Sequence, residues 1–317
     1  MDGLLVIDKP AGPTSHDVVA RVRRAIRERR IGHTGTLDPA ATGLLPLVVG
    51  RATRLARFLS ASDKSYEAVI RLGVSTDTRD AEGEPVGPAF AGSWPAYDVV
   101  NRALDAFRGS FLQQPPAYSA KKIDGQRAYA LARAEKRRAA APADAAVAVD
   151  AGAAARAPLP DPVRVTAYRI DLTGGERDQV VLSIDCSAGF YVRSLAHDLG
   201  ERLGTGAHLL RLRRTRSGDL TLDQAVALDA LERNPSLAPG ALVPMADMLP
   251  GLPAAHLTTD GVRRAVQGQD IGPADLVGGC MPREAPWARL VGPGGLLVAV
   301  AAPGTVPGVL HPSVVLV

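Results

Sequence analysis

The sequence is short of three things, and each shortage removes a class of explanation. Only two cysteines occur in 317 residues, Cys186 and Cys280. They are far apart and in no metal-ligand spacing, so neither a disulfide framework nor a zinc site is indicated. Aromatic residues make up 4%, so stacking platforms must be few and each Tyr or His in a polar setting gains weight. No apolar run approaches the length of a membrane span, and the N-terminus lacks a charged stretch followed by a long apolar one. A cytoplasmic protein with no membrane partner is the expectation. Gly73 to Gly83 is rich in Thr and Asp but lacks the ligand spacing and terminal Glu of a calcium-binding loop, so it reads as a turn between strands.

What is present describes a soluble globular chain: 46% hydrophobic, 22% charged, and long enough that two domains are expected rather than one. The formal charge of +4 suits an anionic partner. Its distribution says more than the total. Arg21, Arg23, Arg24, Arg27, Arg29 and Arg30 crowd one segment and Arg211, Arg213, Arg214 and Arg216 another. Each cluster alone reads equally well as a solvated face; two of them beside unusual loops favour a phosphate-binding surface.

Between the first cluster and the apolar run Leu44 to Val49 lies Gly32-His33-Thr34-Gly35-Thr36-Leu37-Asp38-Pro39-Ala40-Ala41-Thr42-Gly43-Leu44-Leu45. Three glycines and a proline rule out a simple helix or strand and imply a shaped loop. An acid between such residues is most often a turn former. In a rigid loop next to a basic face, Asp38 is also a candidate nucleophile.

The remaining elements follow from periodicity. Gly3 to Asp8 is a strand closed by Lys9-Pro10, and Thr14 or Ser15 caps a helix with Val18, Val22 and Ile26 on its apolar face. Arg51 to Ser60 is helical and Ser65 to Leu72 a strand, in which Tyr66, Ala68, Ile70 and Leu72 share a face. Tyr66 is on pattern alone as much a core residue as a site residue. Asp98 is expected to cap a helix carrying Val99, Val100, Ala103, Leu104 and Phe107; Val163 to Asp171 and Gln179 to Cys186 form a hairpin. In the helix after Tyr191, an arginine at position 193 is a poor partner for the helix dipole and calls for a carboxylate. The Ala- and Pro-rich stretch 139–160 reads as an insertion without anchoring side chains. From about Met248 the chain becomes short-stranded and rich in Gly and Pro, with hairpin strands at Ala288 to Val291 and Leu296 to Ala301 and a closing strand to Val317.

The loop string resembles the G-H-x-G-T-L-D-P-x-A-x-G-x-L of the TruB-type tRNA pseudouridine-55 synthases. So do the opening G-L-L-V-I-D-K-P-A-G-P-T-S, the K-S-Y-E-A around Tyr66, Gln113 to Lys122, Cys186 to Gly200 and Gly204 to Gly218. The resemblance covers most of residues 3–218. It implies an α+β fold: a mixed, mainly antiparallel central sheet with flanking helices over residues 1–248, and a small β-rich PUA-like domain over 249–317. An RNA-gripping arm would occupy about 114–160. Asp38 would be the nucleophile, Arg193 the cation that favours its charged form and fixes its orientation, and Tyr66 a contact to the uracil that assists removal of the C5 proton. His33, Tyr66, Tyr191 and Leu212 would hold the flipped base, and Lys9, Lys64, Tyr118, Lys121 and Arg127 the RNA. The reaction implied is isomerisation of uridine 55 in the tRNA T stem-loop by a stand-alone monomer, with no guide RNA, cofactor or metal. On basic clusters alone, a non-catalytic RNA-folding factor stays open, and a metal-dependent nuclease more weakly.

Overall fold

The computed structural model describes residues 1–119, 121–123, 126–128, 131, 134 and 159–317. The insertion read at 139–160 therefore lies, apart from its last two residues, outside the described residues. The chain divides into two compact units, 1–62 with 217–317, and 63–216.

In the first unit, Gly3–Lys9 lies antiparallel to Thr42–Val49, which also pairs with Ile31–His33. On its other side Gly3–Lys9 runs parallel to Val226–Ala227 and antiparallel to Leu242–Pro244, so the sheet is mixed. The helix Ser15–Ile26 starts in a capping box between Thr14 and Asp17, as the Thr14-Ser15 signal predicts. Leu4, Val6, Leu44 and Val48 form one core with Leu297, Val300, Val314 and Leu316. The texture change near residue 248 thus falls inside this unit, because the C-terminal strands share that core. Those strands make their own four-stranded sheet, ordered Ala254–His256, Ala288–Val291, Leu297–Pro303 and Leu310–Val315. Beside it lies the helix Thr259–Val266, for which the sequence reading made no allowance.

The second unit is built on antiparallel pairing. Lys64–Leu72 pairs with Gln179–Cys186, that strand with Val163–Gly174, and the latter with Gly109–Gln113; Ala207–Ser217 neighbours Lys64–Leu72 on the other side. The helices Tyr97–Leu104 and Val192–Leu203 cover it, burying Leu104, Leu195 and Leu199 against Ile70, Leu182 and Ile184. Two details differ from expectation. The first helix is entered from Ala96, so Asp98 sits within the first turn and pairs with Arg102 at 2.6 Å instead of capping. Val99 then falls on the solvent side. Thr173 and Gly174 prolong their strand, which puts the hairpin turn after Gly174. Among the described residues, no helix is long and apolar enough to cross a membrane.

Candidate active site

The loop around Asp38 is held by backbone and side-chain bonds that come from the first fifteen residues. The Lys9 ammonium, 0% exposed, donates to the carbonyls of Pro10 (2.9 Å), Pro39 (2.9 Å) and Ala41 (2.7 Å). Gly12 N donates to the same Pro39 oxygen at 2.9 Å. Ser15 Oγ, at the start of the helix, accepts from Leu37 N (2.9 Å) and donates to Leu37 O (3.0 Å). Asp38 itself opens a tight turn in which Ala41 N donates to its carbonyl at 3.1 Å. At the turn's exit Gly43 has φ +96°, a backbone that disfavours any side chain. Asp38 is therefore fixed on both flanks and half-buried. His33, also half-buried, meets the His16 ring edge to face at 5.1 Å.

These contacts change the reading of Lys9. An ammonium that is fully buried on three carbonyls is a strut for the Asp38 loop and offers no surface to RNA; a lysine at the end of a strand gives no local sign that two of its acceptors, Pro39 O and Ala41 O, lie 30 or more residues away.

In the second unit, Arg193 stands in the first turn of Val192–Leu203 and is 6% exposed. Its guanidinium donates to Thr78 O (3.1 Å) and Tyr118 O (2.8 Å) and lies 3.6 Å from the Asp80 carboxylate. A buried arginine needs such a set, since an uncompensated charge there is costly. Asp80 is a partner of Arg193 that the sequence reading missed: it was absorbed into the Gly73 to Gly83 turn, and only the fold brings it to Arg193. Tyr191 caps the same helix and is gripped by the buried Gln113 amide, which accepts from Tyr191 N (2.8 Å) and donates to Tyr191 O (3.0 Å). Tyr66 and Leu212 are partly buried and pack on this unit's core, as the core reading of each expects.

Lys64 opens its strand opposite Cys186 and is 6% exposed. Burial, reinforced by the nearby Arg214 charge, lowers its pKa to about 8. It is thus poorly placed for a phosphate. Tyr118 is half-buried and Lys121 exposed. The backbone of Arg127 pairs in a short ribbon with Lys122, and its side chain lies outside the described residues.

The two arginine clusters also divide. Arg21 pairs with Glu232, and Arg23 donates to Ile31 O, while Arg24, Arg27, Arg29 and Arg30 remain exposed. In the second cluster Arg214 is 1% exposed and so closed to a phosphate, while Arg216 is part-exposed and donates to Ser65 Oγ at 2.9 Å. Among the described residues, no group of three or more His, Cys, Asp or Glu could hold a metal ion.

The model of the N-terminal domain of TruB family pseudouridylate synthases matches residues 23–152, and that of the tRNA pseudouridylate synthase B C-terminal domain matches residues 193–241. A tRNA pseudouridine synthase B of Solibacter usitatus is 42% identical over the whole of both chains. The chain belongs to the TruB family. Another TruB relative, that of Gloeobacter violaceus, is 45% identical over 88% of this chain and 89% of its own. Among solved structures, a chain in an H/ACA ribonucleoprotein bound to a substrate RNA containing 2'-deoxyuridine has a TM-score of 0.71 at 22% identity, covering 99% of this chain and 85% of that one. That likeness shows that this TruB chain has the pseudouridine synthase fold, as the α+β expectation required.

Proposed function

We propose that this chain converts uridine 55 in the T loop of tRNA to pseudouridine, as a stand-alone cytoplasmic monomer without guide RNA. The observation that carries the reading is the Asp38 loop, an acid between Leu37 and Pro39 whose flanks are pinned by Lys9, Gly12 and Ser15. Membership of a pseudouridylate synthase family supports it, as do relatives named tRNA pseudouridine synthase B.

Pseudouridine formation breaks the N1–C1′ bond, turns the uracil and joins C5 to C1′. The C5 proton is lost and N1 regains one, so there is no net redox change. The step needs an ionised carboxylate at fixed aim, which suits a residue held from both flanks. Asp38 is assigned as nucleophile and Arg193 as the cation that favours its charged form. Tyr66 is assigned to the uracil and its C5 proton, and Tyr191 and Leu212 to the pocket that receives the flipped nucleotide. His33 stacks on a base or fills its vacated place. Tyr118, Lys121 and Arg127 line the approach of the RNA. Residues 1–248 are assigned to catalysis and 249–317, with their separate four-stranded sheet, to a PUA-like RNA contact.

The test is Asp38→Asn, assayed by tritium release from tRNA labelled at uridine C5 and by filter binding of the same tRNA. Release is expected to vanish with affinity largely intact. Normal release from the variant would remove the nucleophile assignment, and a wild-type protein that refolds tRNA without releasing tritium would replace the enzyme with an RNA-folding factor.

A further inference from the structure

Arg79 lies in the Gly73 to Gly83 turn. It sits between Thr78 and Asp80, the two residues through which that turn holds Arg193. Its backbone is left-handed, φ +63°, a conformation glycine or asparagine adopts more readily than arginine. That twist lets Thr78 O and the Asp80 carboxylate both face Arg193, while the Arg79 side chain runs back to the helix Val192–Leu203. There its guanidinium donates to Ser194 Oγ (2.9 Å) and to Gln114 O (3.3 Å), and Ser194 Oγ donates to the same Gln114 carbonyl at 2.7 Å. Asp198, one turn further along the helix, is half-buried; burial raises its pKa and the Arg79 charge opposes that rise.

The two arginines therefore cross. Arg193 reaches from the helix into the turn and Arg79 from the turn into the helix. Each also ties down the segment after Gly109–Gln113, Arg79 through Gln114 O and Arg193 through Tyr118 O. The backbone of the turn is fixed besides by Leu209, whose N–H donates to Arg79 O and whose carbonyl accepts from Ala81 N, both at 3.0 Å. With these bonds the main chain of the turn is already placed. What Arg79 adds is the register of Thr78 and Asp80 against the first turn of the helix, which is where Arg193 starts.

We propose that Arg79 is a positioning residue for the reaction: by bonding Ser194 and Gln114 it sets the distance from Thr78 and Asp80 to Arg193 and so fixes the aim of the Arg193 guanidinium. This rests on the assignment of Arg193 above. The competing view is that Arg79 merely braces a surface hairpin, or contacts RNA itself.

Three variants separate these. Arg79→Met removes the donors and keeps the length. Arg79→Lys keeps the charge with a single donor group, and Arg79→Gly eases the backbone while deleting the side chain. Under the proposal, Arg79→Met and Arg79→Gly lower kcat on the order of 100-fold, the loss expected from a displacement of about 1 Å in a positioned group. KM stays unmoved, and Arg79→Lys recovers part of the rate. In an Arg193→Lys background, single-turnover rates should show that Arg79→Met has little further effect, because the two residues act as one unit. A wild-type kcat for Arg79→Gly would overturn the proposal in favour of a backbone role. A rise in KM at constant kcat would overturn it in favour of an RNA contact, and full additivity with Arg193→Lys would also refute it. A readout free of activity keeps the inference separate from the reading it rests on: the Arg193 Nε–Hε NMR signal should exchange with water slowly in the wild type and fast in Arg79→Met. Unchanged exchange would overturn the positioning role whether or not the protein makes pseudouridine, whereas tritium release surviving Asp38→Asn would fault only the nucleophile assignment.

Discussion

Replacing Lys9 with Met tests the account of the Asp38 loop most directly, because the side-chain stem keeps nearly its length and apolar character and only the ammonium goes. Three carbonyls lose a charged donor, a hydrogen bond of that kind contributing about 1.5–3 kcal/mol net. Pro39 O keeps its bond from Gly12 N, so the acceptors left short are chiefly Pro10 O and Ala41 O. Relief from holding an ammonium out of water offsets part of the loss. The net destabilisation should be about 2–3 kcal/mol, the order expected when buried neutral acceptors are left without a donor. Urea melts give the global figure. Amide exchange at Ala41, whose N–H closes the turn on Asp38 O, gives the local one. Turnover should fall with KM little changed, since a slackened loop loses the aim of Asp38 more than it loses tRNA. A lysine on the RNA surface predicts the opposite signature: unchanged melts, a raised KM and a salt dependence of binding shallower by about one counterion. That outcome would refute the strut.

Arg193→Met should cripple turnover far more than affinity, and Asp80→Asn should lower kcat in the same direction but less, because Thr78 O and Tyr118 O still hold the guanidinium; a loss mainly in affinity, read by filter binding, would move Arg193 to the RNA surface. For Lys64, whose folded pKa is about 8 against 10.5 ordinarily, the unfolded chain holds a proton between those values that the folded chain has released. Stability should therefore rise with pH across that window, by about 3 kcal/mol in total. Lys64→Met should flatten that rise in urea melts taken from pH 8 to 10.5, and an identical slope in both proteins would contradict the burial of this amine. Burial pushes the Cys186 thiol up to about 12 while Cys280 is exposed. A thiol reagent at pH 8 should thus label one cysteine in the native protein and two in urea; two equal fast phases in the native protein would count against it.

Much of this was open to reading along the chain, because local signals and local structure coincide. The Thr14-Ser15-His16-Asp17 box starts its helix as such boxes do, and the apolar run after Gly43 becomes a buried strand. Readings failed where the deciding partner is remote. Lys9 looks like a surface cation until Pro39 and Ala41 come to meet it. Asp80 looks like a turn residue until the helix bearing Arg193 is laid beside it. Arg214 belongs to a cluster that suggests phosphates, and its strand carries it inside. The strands Leu297–Pro303 and Leu310–Val315 share a core with Leu4 and Val48, a contact that a change in local texture cannot reveal. For Lys9, Asp80 and Arg214 the charge was legible; the side of the surface on which it lies was not.

The bonds that shape the Asp38 loop originate at Lys9, Gly12 and Ser15, outside the motif by which the loop is recognised. Grafting the motif alone onto a foreign scaffold would transplant its letters without its geometry. A designer wishing to move this chemistry must carry the opening strand and the first turn of the helix along with it, and an altered residue at position 9 or 15 in another chain would be a warning even where every letter from 32 to 45 is intact.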